Sequence, residues 1–273
     1  MARPQIEFIQ SQCLPWAPGP RFGLGAGVEI KTLSEDAESG AASLLVRYPS
    51  GWSFPAGARG ADEEFLILDG ELKIGEASFG RLNYAHWPAG YSATARASEN
   101  GAVALTFFSG DPRRPAPATV DPARLVERLD AFNVTYTGNF HPEFPPGAGR
   151  KVLFTDPATG ETSWILGTLP LRWAERSEEH DHVEEMYLLS GESHGDRGVM
   201  RPGAYFWRPG HIAHGPYGTL TGNLYFFRSK GGPLVTRYVD PETPFRWFPP
   251  YRPALPSELA TMGAEAPAGA QPW

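Results

Sequence analysis

In the stretch "EEHDHVEEMYLLSGE", Glu178 to Glu192, two histidines and a glutamate fall on alternate residues, at His180, His182 and Glu184. Alternate side chains of an extended strand share one face, so this spacing would set two imidazoles and a carboxylate side by side. Met186 and Leu188 would continue that face into an apolar interior. Imidazole nitrogens and a carboxylate oxygen are donors suited to Fe(II), Mn(II), Ni(II), Cu(II) or Zn(II), and donor softness alone does not choose among these ions. A fourth donor can come from "RPGAYFWRPGHIAHGPYG", where Gly203 and Pro209-Gly210 punctuate two strands and His214 follows. A hairpin there would bring His214 back to the first three.

The remaining candidates have plainer readings. A lone histidine is most often a surface or hydrogen-bonded core residue, and His86, His141 and His194 are read that way. Glu185 is one residue out of phase and should face away from the others, toward solvent or a partner subunit. Tyr205, Trp207, Tyr225 and Phe227 read as barrel wall or interface, because aromatic residues are ordinary strand formers. Cys13 is the sole cysteine, so no intrachain disulfide can form, and with no adjacent base it makes a poor nucleophile.

Positioning such donors requires strands. Gly 31 and Pro 28, beside 12% aromatic residues and few long helical patterns, suit short strands separated by turns. The strands repeat. A shift of 121 aligns Pro49 with Pro170, Trp52 with Trp173, Glu63-Glu64 with Glu184-Glu185, Gly70-Glu71 with Gly191-Glu192, Tyr84 with Tyr205 and Pro88 with Pro209. Upstream in each copy, "VEIKTLSEDAESGAASLLVRYP" and "RKVLFTDPATGETSWILGTLP" both read as strand, Asp/Gly turn, strand. Between the copies, "GDPRRPAPATVDPARLVERLDAF" begins as a proline-stiffened linker. It then offers Asp121 as N-cap, Pro122 at the first helical position and apolar residues at Leu125, Val126 and Leu129, the pattern of a short helix. The expected domains are therefore 1–120 and 121–273. The tail from Tyr238 is too proline-rich for regular structure; its Phe245, Trp247 and Phe248 are expected to pack on a barrel or a partner, and its last dozen residues to be mobile.

The copies differ where the chemistry would be. Projected back by 121, His180, His182, Glu184 and His214 become Arg59, Ala61, Glu63 and Ala93. A lone glutamate does not hold a divalent ion, so one metal per chain is expected, in the second half. Net charge is -7, which gives no electrostatic reason to expect nucleic acid or an anionic membrane as partner. No run approaches the roughly 18 apolar residues of a membrane span, and no secretory leader is visible. The expectation is a cytoplasmic protein that meets a small molecule.

These residues resemble the two signature motifs of the cupin superfamily: His-x-His, then Glu, six residues and Gly; later Gly, five residues and Pro, with a further His. Here six residues separate Glu184 from Gly191, five separate Gly203 from Pro209, and His214 stands last. The chain is similar to two-domain cupins of the ChrR-like branch, with "PGHIAHGPYG" and "LSEDAESGAASLLVRYPSGW" closest to that group. Two positions depart from the pattern. Only Val183 separates His182 from Glu184, where the family has three or four residues, and His211 replaces a usual glycine.

The resemblance implies two tandem jelly-roll (double-stranded β-helix) barrels, a metal inside, and often a homodimer. It further implies a mononuclear centre, with Fe(II) favoured, of dioxygenase type acting on a diketone or phenol-like compound. Tyr187, Tyr205, Arg201 and Arg208 would orient the substrate. An isomerase, lyase or hydrolase could use the same shell, and a non-catalytic sensing or structural cupin is the alternative.

Overall fold

The computed structural model describes residues 3–138, 146–266 and 270–273. Within these the chain is all-β, and its only helical turns are short 3-10 segments. No helix is long and apolar enough to cross a membrane. Two compact units emerge. One comprises Leu14–Asn133 together with Arg3; the other comprises Pro4–Cys13 and Val134–Trp273.

The strand order of the first unit recurs in the second. In the first, the larger sheet runs Val126–Asp130, Asn83–Trp87, Glu63–Gly70, Ala102–Phe108, Ala42–Tyr48 and Glu29–Glu35, with Ala17–Pro18 at the far edge. In the second it runs Ile6–Gln10, Ala204–Arg208, Val183–Gly191, Asn223–Lys230, Thr162–Thr168 and Ala148–Thr155. A smaller four-stranded sheet faces each: Trp52–Phe54, Arg96–Ser98, Leu72–Ile74 and Ala77–Phe79, then Arg172–Trp173, Gly218–Thr219, Ser193–Gly195 and Gly198–Met200. Two antiparallel sheets face to face, closing on an apolar interior, are the jelly roll.

Local chemistry explains the turns. In the hairpin after Glu29–Glu35, Asp36 accepts Ser39 Oγ at 2.7 Å while its backbone N–H reaches Ala41 O at 2.8 Å. Asp156 closes the matching turn of the second unit, accepting the Ala158 N–H at 2.8 Å. Both are turns in which an aspartate side chain bonds backbone two or three residues on. Gly70 and Gly191 end the equivalent strands at φ 70° and 78°. A Cβ there would sit 2.2 Å from Gly101 O and 2.0 Å from Gly222 O, so both conformation and space demand glycine.

The segment read as a helix takes another course. Asp121 does cap a turn, accepting the Ala123 N–H at 3.0 Å, but only the single 3-10 turn Pro122–Arg124 follows. Val126–Asp130 is a strand on the edge of the first unit's sheet, paired through Val126 with His86 and through Leu129 with Tyr84. A bulge lies between those two pairs, and it produces the three-residue apolar spacing that imitates a helix. The open sheet edge supplies backbone partners that helical propensity does not outweigh. Residues 121–133 therefore belong with the first unit, which moves the boundary from near 120 to Asn133/Val134.

The second unit takes its corresponding edge strand, Ile6–Gln10, from the start of the chain, with Ile6 opposite Trp207 and Ile9 opposite Tyr205. Its tail lies along that strand: Glu7 and Ala254 exchange backbone bonds, and Tyr251 Oη donates to Phe8 O at 2.9 Å. Near the end, Pro272 O accepts from Ser11 Oγ at 3.1 Å. Residues 267–269, within the tail expected to be mobile, lie outside the described residues, as does His141.

Candidate metal centre

The alternation that would align His180, His182 and Glu184 is interrupted. Ser177–His180 is one strand, Val183–Gly191 is the next, and Asp181-His182 is the turn between them. The face of the first strand therefore carries Glu178 and His180, and that of the second carries Glu184, Met186 and Leu188. Ser177–His180 pairs on one side with Thr236–Val239. On the other, a bridge joins Glu178 to His214, with backbone bonds of 2.9 and 3.0 Å. Ligand atoms of Glu178, His180 and His214 all lie within 4.8 Å of one another. Glu184 stands beside them, Oε1 at 3.6 Å from His180 Nε2 and Oε2 at 3.6 Å from His214 Nε2.

This arrangement accounts for the short gap before Glu184. His180, not His182, has three residues between it and the glutamate, as the family motif requires, and Glu178 stands where that motif has its first histidine. His182 is placed outside the cluster, its ring over the Gly231-Gly232 backbone, where a Cβ on Gly232 would meet Nε2 at 2.3 Å. His211 is a turn residue with φ 64° and an exposed side chain; its counterpart Gly90 has φ 85°, which is why glycine is usual there.

The donor set fits a cation. His214 Nδ1 lies 2.9 Å from Ile212 O, so its proton is on that nitrogen and Nε2 presents a lone pair toward the cluster. Among the described residues neither ring nitrogen of buried His180 makes a well-formed hydrogen bond, the Val235 backbone being its nearest polar neighbour beside the carboxylates. An unpartnered buried imidazole is costly unless something accepts its lone pair. Burial lowers both imidazoles, that of His214 well below the usual histidine range with Arg208 and His180 adding to the effect. Both are thus neutral, as ligation requires. Burial, and after it the Glu184 carboxylate, pushes the Glu178 carboxyl up to about 7. Burial, the first cause of all three shifts, disfavours a charge of either sign, and it leaves the two imidazoles neutral, with lone pairs free to be donated.

A buried ion network stands behind Glu184. Arg208 Nη1 donates to Glu184 Oε2, Nε donates to Glu7 Oε2 at 2.7 Å, and Nη2 donates to Glu7 Oε1 and, at 2.9 Å, to Tyr217 Oη. Burial alone would lower the Arg208 guanidinium, and the charge of Glu7, with Tyr217 and Glu184, more than reverses this. In front lies a cavity of about 330 Å³. Its wall is mainly aromatic and thioether, with Trp164 stacked on Phe227 at 5.3 Å, Met186, Met200 and Phe206.

Of the four residues expected to orient a substrate, only Arg208 lines this cavity. Tyr187 and Tyr205 occupy the opposite face of their strands by the same alternation that turns Met186 and Phe206 inward. Tyr205 Oη donates to Glu185 at 2.6 Å, and Tyr187 Oη donates to Pro272 O. Arg201 is not among the lining residues. Glu185 does face away from the cluster, yet it is buried rather than solvated, held also by Arg228 at 2.7 Å. His194 has the structural role read for it: Nδ1 accepts the Phe248 N–H at 3.1 Å and Nε2 donates to Glu192 at 3.1 Å. Glu178 and Tyr217 join the site from the structure, and the sequence carries a signal for Glu178 alone, in the three-residue spacing between His180 and Glu184. Glu7 gave no sequence signal, because nothing local ties residue 7 to residue 208.

Fold and site define an all-β protein with a jelly-roll arrangement of strands in each unit and a histidine and glutamate cluster inside the second. The chain belongs to the family described as domain of unknown function DUF4437, whose model matches residues 25–234. No curated protein matches it. Among solved structures it is similar to a candidate dioxygenase from Nostoc punctiforme, with a TM-score of 0.79 and 20% identity over 87% of this chain and 88% of that one. Protein YlbA from E. coli gives a TM-score of 0.59 and 14% identity over 83% and 91%. The Bacillus subtilis oxalate decarboxylase, described with Mn(II) centres, gives 0.57 and 12% over 85% and 79%. At these identities the likeness is one of fold.

Proposed function

We propose that this protein is a metal-dependent oxidoreductase of dioxygenase type, acting on a small oxygenated organic molecule in the cavity of the second unit. The observation that carries this reading is His180, whose two ring nitrogens are buried without a well-formed hydrogen bond among the described residues, beside His214 and the carboxylate of Glu178. Glu178, His180 and His214 would hold the ion, with Glu184 adjacent. Two imidazoles and a carboxylate form the donor set of non-haem iron centres and also suit manganese. When bound, such an ion supplies Lewis acidity and open positions for a substrate oxygen and dioxygen. The chain's residues do the rest. The Trp164–Phe227 stack with Met186, Met200 and Phe206 excludes water and takes the apolar body of a substrate, while Glu184, steadied by Arg208, is placed to accept a proton from a substrate hydroxyl. The likeness of "PGHIAHGPYG" to the ChrR-like branch supports the same assignment.

The reading is tested by metal analysis of the purified protein, then oxygen uptake by iron- and manganese-loaded samples across a panel of diketones and phenols. About one ion per chain and turnover of at least one compound are expected. A metal-free protein, or two ions per chain, would sink the assignment of the site; a loaded protein inert toward the panel would sink the enzymatic reading.

A further inference from the structure

Glu7 belongs to the strand Ile6–Gln10, far in sequence from the cluster, yet it is 3% exposed and meets Arg208, itself 1% exposed. A guanidinium offers a two-pronged edge, Nε with one Nη, and a second edge formed by its two Nη groups; either can bind both oxygens of one carboxylate. In the second unit Glu7 occupies the Nε/Nη2 edge with both of its oxygens, and Tyr217 Oη takes a further Nη2 contact at 2.9 Å. Glu184 is left with a single contact, from Nη1 to Oε2. Its Oε1 therefore stays on the histidine side, 3.6 Å from His180 Nε2.

In the first unit the equivalent glutamate is gripped by an arginine from another position, one that holds no second carboxylate among the described residues. There Arg96 binds both oxygens of Glu63, Nη1 to Oε1 and Nη2 to Oε2, each at 2.6 Å. Glu63 is the counterpart of Glu184, and Arg96 that of Tyr217.

We propose that Glu7 is a positioning residue of the metal centre: by holding the Nε/Nη2 edge of Arg208, with Tyr217 Oη also on Nη2 and donating to Glu7, it leaves only Nη1 for Glu184 and keeps that carboxylate turned toward the His180–His214 pair. Glu7 is fixed for this task by backbone bonds to Ala254 of 2.8 and 2.6 Å, and Tyr251 Oη holds Phe8 O beside it. The site is thus assembled from three separated pieces of chain, and the first of them lies more than 150 residues before the nearest ligand. Without the Glu7 carboxylate, Arg208 loses the partner that fixes its Nε/Nη2 edge and can turn to take both oxygens of Glu184. The centre also gains one net positive charge. Both changes weaken the hold on a cation.

This inference rests on the metal reading above, and one titration separates the two. Mn(II) is titrated into metal-free wild-type protein and into Glu7→Gln and Glu7→Asp, with affinity from calorimetry and the environment of the bound ion from its EPR spectrum. Absence of wild-type binding overturns both readings at once. With wild-type binding present, Glu7→Gln is expected to bind at least tenfold more weakly and to change the fine structure of the bound ion, with an unchanged circular dichroism spectrum. Glu7→Asp, which keeps the charge on an arm one methylene shorter, is expected to fall between the two with a spectral change in the same direction. Wild-type affinity and spectrum in Glu7→Gln would overturn the role of Glu7 and leave the metal site standing. Should Glu7→Gln not fold, the same comparison on Glu7→Asp decides.

Discussion

Gly57 and Ala93 exchange backbone bonds of 2.9 and 3.0 Å in the first unit; 121 positions later, Glu178 and His214 exchange bonds of 2.9 and 3.0 Å in the second. The scaffold beneath the two sites is the same, and the side chains on it have opposite consequences. Where the second unit has His180, the first has Arg59, which donates to Glu63 at 2.8 Å while Arg96 binds the same carboxylate. The first glutamate has two cationic partners from its own chain. The second has one, and that one is shared with Glu7.

The interiors differ in the same sense. Tyr48 packs on Trp52 at 4.6 Å and Trp87 sets its edge on Phe65 at 5.0 Å, all of them inside the first unit's core. In the second unit Thr168 takes the ladder position of Tyr48, opposite Asn223 as Tyr48 is opposite Ala102, and the offset of 121 sets Trp173, which is 52% exposed, Met186 and Arg208 for Trp52, Phe65 and Trp87. Space filled in one barrel is left as cavity in the other. Trp173, although retained, therefore does not do what Trp52 does.

The largest expected effect is on metal binding. His180→Ala or His214→Ala should weaken it by about a thousandfold, about 4 kcal/mol, measured by calorimetric titration, while leaving the first unit's stability unchanged. Next is Glu63→Gln, which leaves Arg59 and Arg96 buried without their counter-charge. A loss of about 3–5 kcal/mol is expected, read by denaturant unfolding of the full chain. Bound metal should not change, and a drop in metal content would break the separation of roles between the two units.

Acid should act on the first unit through the same residue. Burial works to raise the Glu63 carboxyl, but Arg96 and Arg59 outweigh it and hold the group at about 2 against an ordinary 4.5. Because the folded value is the lower one, the stabilisation is fully present above the unfolded value and is lost as pH falls through the folded one. The gap corresponds to about 3 kcal/mol, disappearing between about pH 5 and pH 2. Unfolding midpoints across that range should fall more steeply for wild type than for Glu63→Gln. Parallel curves would show that the arginines do not hold Glu63 as the structure indicates.

Much of this was legible in the sequence because it is periodic or local. The repeat exposed the shared strand order, the Asp/Gly turns marked the hairpins, and Gly70 and Gly191 marked positions where a side chain would strike backbone. His180, His214 and Glu184 were readable from type and spacing. What escaped was what depends on where a strand breaks or on contacts made across the chain. Val126 and Leu129 looked helical because a bulge supplies the three-residue spacing. Glu178 was hidden by His182, the more conspicuous ligand type, and Glu7 by its distance in sequence.

His182 gives the smallest and most discriminating test. Type and alternation make it a ligand; the turn at Asp181-His182 moves its ring away from the cluster and over Gly231-Gly232. If the turn governs, His182→Ala removes a contact at the margin of the barrel, with a stability change within about 0.5 kcal/mol and metal content unchanged. If alternation governs, the same substitution empties the site as His180→Ala does. Metal analysis of the two variants side by side decides which register the strand adopts, because a one-step difference in which histidine faces inward cannot leave both of them dispensable.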